Sequence, residues 1–152
     1  MDIEIDLQLL DARYGSVFPL PDLATRGAAA IDLRAALDTP LSLDPDACVL
    51  VPSGIAIHIG DRGHAALVLP RSGLGHRGLV LGNGIGLIDS DYQGEIKMSC
   101  WNRSPDVITI EPGDRIAQLL VIPVATPLFR VVDAFADTTE RGQQGFGHSG
   151  IR

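Results

Sequence analysis

An all-β sandwich or barrel is the fold class this sequence predicts, and three observations predict it. Short apolar runs alternate with polar residues at the period of a half-buried strand. Clusters of Gly, Pro, Asn and Asp separate those runs at close intervals. No long 3.6-residue period interrupts the series.

The first run is the cleanest. Ile3, Ile5, Leu7 and Leu9 alternate with Glu4, Asp6 and Gln8, so one face is apolar and the other polar. Further strand-like runs follow at Cys48–Val51, Ile55–Ile59, Ala65–Leu69, Leu79–Leu81, Glu95–Trp101, Val107–Ile110, Ile116–Val124 and Leu128–Val132. Turn formers divide them at 43–46, 60–63, 102–105 and 111–114, where Asp-Pro, Gly-Asp, Ser-Pro and Pro-Gly pairs supply turn geometry. The best helix candidate is a short turn after Pro70. There is no internal repeat and no linker, and 152 residues suit one domain with a proper core.

Beyond Val132 the alternation fades, and 138–150 is rich in Gly, Gln and polar residues. Taken alone this is a frayed tail. Phe146, between Gly145 and Gly147, offers the other reading: an aromatic on a flexible segment that orders over a ligand.

Composition narrows the function. A net charge of −7 and a pI of about 4.8 argue against a nucleic-acid-coating protein. An acidic chain binds polyphosphate only through locally gathered arginines and backbone N–H groups, with a cation sharing the charge. Arg71, Arg115 and Arg141 sit beside glycines or turns, placed for that work or simply solvated. Cys48 and Cys100 lie in apolar runs and read as small buried hydrophobes, with one structural disulfide as the alternative. A charged start from Asp2 reads as no signal peptide, and no apolar run spans a membrane, so the expectation is a cytoplasmic protein.

The four histidines form no HxxxH pair and the cysteines no CxxC, which predicts no tetrahedral zinc site. Without a GxSxG elbow or a Walker-type GxxxxGK[ST], water activated by a carboxylate fits better than a covalent nucleophile. The segment 81–95, LGNGIGLIDSDYQGE, is the most informative. It sets Asp89, Asp91 and Tyr92 among glycines, and reads either as an acidic hairpin tip or as a pocket wall carrying a general base.

Four further segments accompany it: AIDLRAA at 30–36, PRSGLG at 70–75, PGDRIAQL at 112–119 and RGQQGFGHSG at 141–150. In order and approximate spacing, the five together resemble the motifs of the homotrimeric dUTP pyrophosphatases, over nearly the whole chain. The resemblance implies a jelly-roll-like domain spanning 1–152, with 138–152 as a mobile lid, assembling as a homotrimer with sites at subunit interfaces. It implies hydrolysis of dUTP to dUMP and pyrophosphate by Mg²⁺-assisted attack of water on the α-phosphate. Such an activity lowers dUTP and supplies dUMP for thymidylate synthesis.

The same resemblance assigns roles. Asp89 would be the base that orients and deprotonates the water. Asn83 and the backbone of 82–87, including Gly84 and Leu87, would read the uracil edge. Cytosine inverts part of that donor and acceptor pattern and would leave groups unpaired. Tyr92 would pack where a 2′-hydroxyl would sit, and Lys97 would also touch substrate. Arg71, Ser72 and Gly73 would grip phosphate, and Gln118 would contact phosphate or the surroundings of the water. Arg141 and Ser149 would reach the γ-phosphate, Phe146 would stack on the base beside Gly147, and Asp32 would hold Mg²⁺ through water.

Three departures from the family pattern stand out: Ala30 for a glycine, Gln144 for a glycine of the tail, and one residue fewer between Gly75 and Gly78. The missing residue is expected to be absorbed within 76–78. Two rivals share the resemblance: a dCTP deaminase of the same superfamily, and a nucleotide-binding regulator without catalysis.

Overall fold

The computed structural model describes residues 3–143 and 145. Among them run β1 (Asp6–Leu9), β2 (Ile31–Arg34), β3 (Leu41–Leu43), β4 (Cys48–His58), β5 (His64–Pro70), α1 (Ser72–His76), β6 (Leu79–Leu81), β7 (Gly86–Ile88), β8 (Glu95–Asn102), β9 (Ile108–Ile110) and β10 (Arg115–Pro123). Two four-stranded sheets result, in the orders β1-β4-β8-β6 and β2-β10-β5-β7, with β3 and β9 forming a separate ladder. Every ladder between these strands is antiparallel. The jelly-roll-like, all-β architecture is the one expected.

Period-two alternation builds the core between the sheets. In β8, Ile96, Met98, Cys100 and Asn102 are buried, while Lys97 is exposed on the other face. Leu33 of β2, Val51 and Ile55 of β4, Ala66 and Val68 of β5, and Ala117 and Leu119 of β10 meet them in one cluster. Each large apolar side chain buried this way contributes about 1.5–3 kcal/mol. The buried Asn102 is fully engaged: its amide nitrogen donates to the Leu43 and Asp106 carbonyls, and its oxygen accepts from Ser104.

Several expectations are corrected. Cys48–Val51 and Ile55–Ile59 belong to one strand, ending at His58, because Pro52-Ser53-Gly54 makes a bulge instead of a break. Gly54 has φ +70, and a Cβ there would stand 2.7 Å from Asp11 Cβ. Its N–H donates to Glu95 Oε1 at 3.0 Å. Strands β2, β3 and β7 are additions to the expected series; at three or four residues they are too short to show a period. Leu128–Val132 is no strand, since no other strand pairs with it, and Leu128, Phe129 and Val131 are 97%, 90% and 96% exposed. Cys48 is exposed, not buried, and both cysteines are free thiols. Burial pushes the Cys100 thiol up to about 12.

The short turn after Pro70 is α1, as expected. The chain then reaches β6 through Arg77 and Gly78 alone. Gly78 adopts φ +110, donates its N–H to the Gly75 carbonyl and accepts from Arg103 N–H. A Cβ on Gly78 would lie 2.6 Å from Ser104 Cβ, so only glycine closes this connection. Leu79 then starts β6 opposite Asn102, and β6 pairs with β8 without a register shift. No helix among the described residues is long and apolar enough to cross a membrane.

Candidate active site

Two clefts gather the sequence-predicted residues, at opposite ends of β5. The first lies where β5 gives way to α1. Pro70 is the last residue of β5, opposite Ala117 of β10, and α1 begins two residues later. The amides of Ser72, Gly73 and Leu74, in the first turn of α1, have no helical acceptor. Gln118 of β10 sits opposite both Asp32 of β2 and Leu69 of β5, so these groups lie in one row across three strands.

Arg71 lies over that row. Its Nε meets Asp32 Oδ1 at 3.0 Å and its Nη1 donates to the Arg115 carbonyl at 2.9 Å. Arg115 Nη1 reaches Asp32 Oδ2 at 3.2 Å. Gln118 Nε2 donates to the Pro70 carbonyl at 2.9 Å. Gln118 therefore holds the turn that carries Arg71, and it does not line the cleft. That cleft, about 490 Å³, is lined by Arg71, Ser72, Gly73, Arg77, Thr109, Asp114 and Arg115 among others. Three guanidinium groups against one lining carboxylate make it a cationic pocket on an acidic chain.

The donors suit an ion carried by a ligand more than one caged by protein. Among the described residues no group of three or more His, Cys, Asp or Glu could hold a metal. Asp32 is a single carboxylate with each oxygen against a guanidinium. It fits a Mg²⁺ that rests on phosphate oxygens and reaches the protein through its own waters.

The second cleft, about 330 Å³, is lined by Leu87, Ile88, Asp89, Tyr92, Glu95, Ile96 and Lys97. β7 is the edge strand of its sheet, so part of its backbone N–H and C=O groups have no strand partner and can read a ligand's edge. Asp89 follows directly, exposed. Tyr92 N–H donates to the Asp89 carbonyl at 3.2 Å, which fixes the turn that carries both residues. The Tyr92 hydroxyl donates to the Glu95 carbonyl at 3.0 Å. Lys97 faces outward because its neighbours Ile96 and Met98 face the core. Asp91 does not line this pocket.

Asn83 and Gly84 occupy the exposed turn between β6 and β7. Gly84 has φ +74 and donates to the Leu81 carbonyl. β6 and β7 belong to different sheets, so the 82–87 segment crosses between layers and is not a hairpin. Gly82 packs closely at the start of the crossing, where a Cβ would meet Cys48 Sγ at 2.5 Å and Ser99 Oγ at 3.0 Å.

Register sets the distance between the clefts. Ile88 pairs with Ala66 of β5, which places Asp89 level with residue 65, whereas Arg71 follows the far end of that strand. Six residues at about 3.3 Å each separate them by roughly 20 Å. Asp89 and Arg71 of one chain therefore cannot meet on the same phosphate group. Arg141 is exposed; Gln144, Phe146, Gly147 and Ser149 lie outside the described residues. Sequence reasoning missed Glu95 and Arg77 as lining residues. A charged residue opening a strand right after the DYQG run was the available signal for Glu95.

The dUTPase family profile matches residues 17–150. The deoxyuridine 5′-triphosphate nucleotidohydrolase of Shewanella baltica is 56% identical, with all of both chains covered. That of Salmonella paratyphi A is 59% identical over 97% of each chain. Among solved structures, the Staphylococcus bacteriophage 80alpha dUTPase with dUPNHPP superposes with a TM-score of 0.84 at 25% identity, covering 97% of this chain and 99% of that one. A phage phi11 dUTPase, described with a structural Mg(II) ion, superposes at 0.75 with 21% identity, covering 88% of this chain and 99% of that one. Matched in sequence from end to end and in its overall fold, the chain belongs to the dUTPase family.

Proposed function

We propose that this protein hydrolyses dUTP to dUMP and pyrophosphate in the cytoplasm, by attack of water on the α-phosphorus, at sites shared between copies of the chain. The observation that carries the reading is the pocket that joins an edge strand, an aromatic and a carboxylate with no partner among the described residues, set far from a separate arginine cleft. The uracil edge, with two carbonyl acceptors around one N–H, meets the free backbone of β7 together with Asn83 and Gly84. Tyr92 packs against the deoxyribose and Lys97 lies alongside. Asp89 holds the attacking water and takes its proton as the bond to phosphorus forms.

The phosphates run into the arginine cleft, where Arg71, Ser72 and Gly73 grip them with guanidinium and amide donors. Arg141 and Ser149 close on the γ-phosphate, and Phe146 with Gly147 covers the base. Asp32 would hold, through water, a Mg²⁺ bound with the triphosphate, and that ion would supply charge shielding. The roughly 20 Å between Asp89 and Arg71 supports a site built from one copy's acid pocket and another's arginine cleft, and we read the assembly as a homotrimer. The apolar arm supports this too. Leu128, Phe129, Val131 and Phe135 are each at least 90% exposed, a patch that a partner would cover.

Incubating the protein with Mg²⁺ and either dUTP or dCTP in oxygen-18 water tests the chemistry. The expected result is labelled dUMP with unlabelled pyrophosphate from dUTP, and no deamination of dCTP. Label in pyrophosphate would reverse the site of attack, deamination would favour the deaminase, and binding without turnover would favour a regulator.

A further inference from the structure

Gly94 is a glycine for lack of space, not for its backbone. It does not adopt a positive φ, so any residue would suit its conformation. What it lacks is room: a Cβ would overlap Tyr92 Oη and stand 2.7 Å from Cζ and 3.1 Å from Cε2. The phenol ring is folded across the bare Cα. Its hydroxyl is spent inside the chain, donating to the Glu95 carbonyl at 3.0 Å. Glu95 is itself tied at its other end, where Oε1 accepts the Gly54 N–H at the bulge of β4. Tyr92 is thus held at three points: its amide on Asp89, its hydroxyl on Glu95 and its ring on Gly94.

We infer that Gly94 and the Tyr92–Glu95 hydrogen bond are the positioning elements that set selectivity for a 2′-deoxy sugar. The inference rests on the proposed placement of the deoxyribose against Tyr92. A ring whose hydroxyl is already used offers the sugar only a fixed apolar wall. A wall excludes an added hydroxyl only as well as it is held in place, and pockets of this kind reject such an isostere by roughly a hundredfold. A side chain at position 94 pushes the ring off its seat and breaks the hydroxyl's hold, which opens room for a 2′-hydroxyl.

The test is the ratio of kcat/KM for dUTP to that for UTP, in the wild type, Gly94→Ala and Tyr92→Phe. Gly94→Ala is expected to lower the ratio about tenfold or more, since most of the wall's roughly hundredfold discrimination goes. Tyr92→Phe keeps the ring but loses its tether, and is expected to lower the ratio by about twofold to tenfold, the value of one hydrogen bond. A purely structural role would reduce both substrates together and leave the ratio alone, and that result in either folded variant overturns the inference. If Gly94→Ala does not fold, Tyr92→Phe decides alone. A wild type that turns over dUTP but shows no preference over UTP refutes the selectivity role, whereas one that does not hydrolyse dUTP refutes the functional reading beneath it.

Discussion

Asp89→Asn is expected to lower turnover of dUTP by about a hundred- to ten-thousand-fold, the usual contribution of a positioned base. Nucleotide affinity should stay near the wild-type value, because asparagine keeps the shape of the side chain while losing the negative charge and the ability to take the proton. Stability should not change either. The Asp89 carboxylate makes no hydrogen bond or ion pair within the described chain, and it lies on an exposed turn after β7. Single-turnover rates, with nucleotide binding measured on its own, separate the two effects. Turnover within a few-fold of wild type would remove Asp89 from the proton transfer.

Truncation before Arg141 should be nearly as damaging. It removes Arg141, Phe146, Gly147 and Ser149 together. On the proposed function the phosphate would lose Arg141 and Ser149 and the base its stacking ring, so kcat/KM should fall by about a hundredfold or more. The fold should survive, since β10 ends at Pro123 and the described core cluster contains nothing beyond Val121. Phe146→Ala alone should weaken transition-state binding by roughly 1–3 kcal/mol, the range for base–aromatic stacking. Unfolding curves set beside the kinetics make the check. Full activity in the truncated chain would return the segment to a passive tail.

Most of the architecture is legible in the sequence because the long strands have long signals. β8 alternates over eight residues, with its buried face in the core, and β10 is a nearly continuous apolar run of nine. The three-residue strands β3, β6, β7 and β9 offer no such period, and only runs such as Leu79–Leu81 that are apolar throughout could be seen. The Leu128–Val132 run misled because apolar composition signals burial without saying by what. In a single chain those side chains stay in solvent.

For the site, Asp89, Tyr92 and Leu87 stand around one pocket, and Arg71, Ser72 and Gly73 around another, as their grouping in the motifs suggests, with Lys97 from beyond the 81–95 segment joining the first. What the sequence could not convey is the roughly 20 Å between the two, because that distance comes from the pairing of β5 with β7. Asp32 and Gln118 were also harder to read. Their side chains are tied to Arg71, Arg115 and the Pro70 carbonyl, partners that stand across strands and not along the chain.

Mixing two crippled variants tests directly whether the site is shared between copies. Asp89→Asn and Arg71→Ala each disable one half of every site. Equal amounts, unfolded together and refolded, should form mixed assemblies in which some sites draw Asp89 from one copy and Arg71 from another. With random assortment in a symmetric oligomer, activity should recover to about a quarter of that of wild type refolded in the same way. A mixture no more active than its separate parents, while refolded wild type regains activity, would place the whole site within a single chain and contradict a shared site.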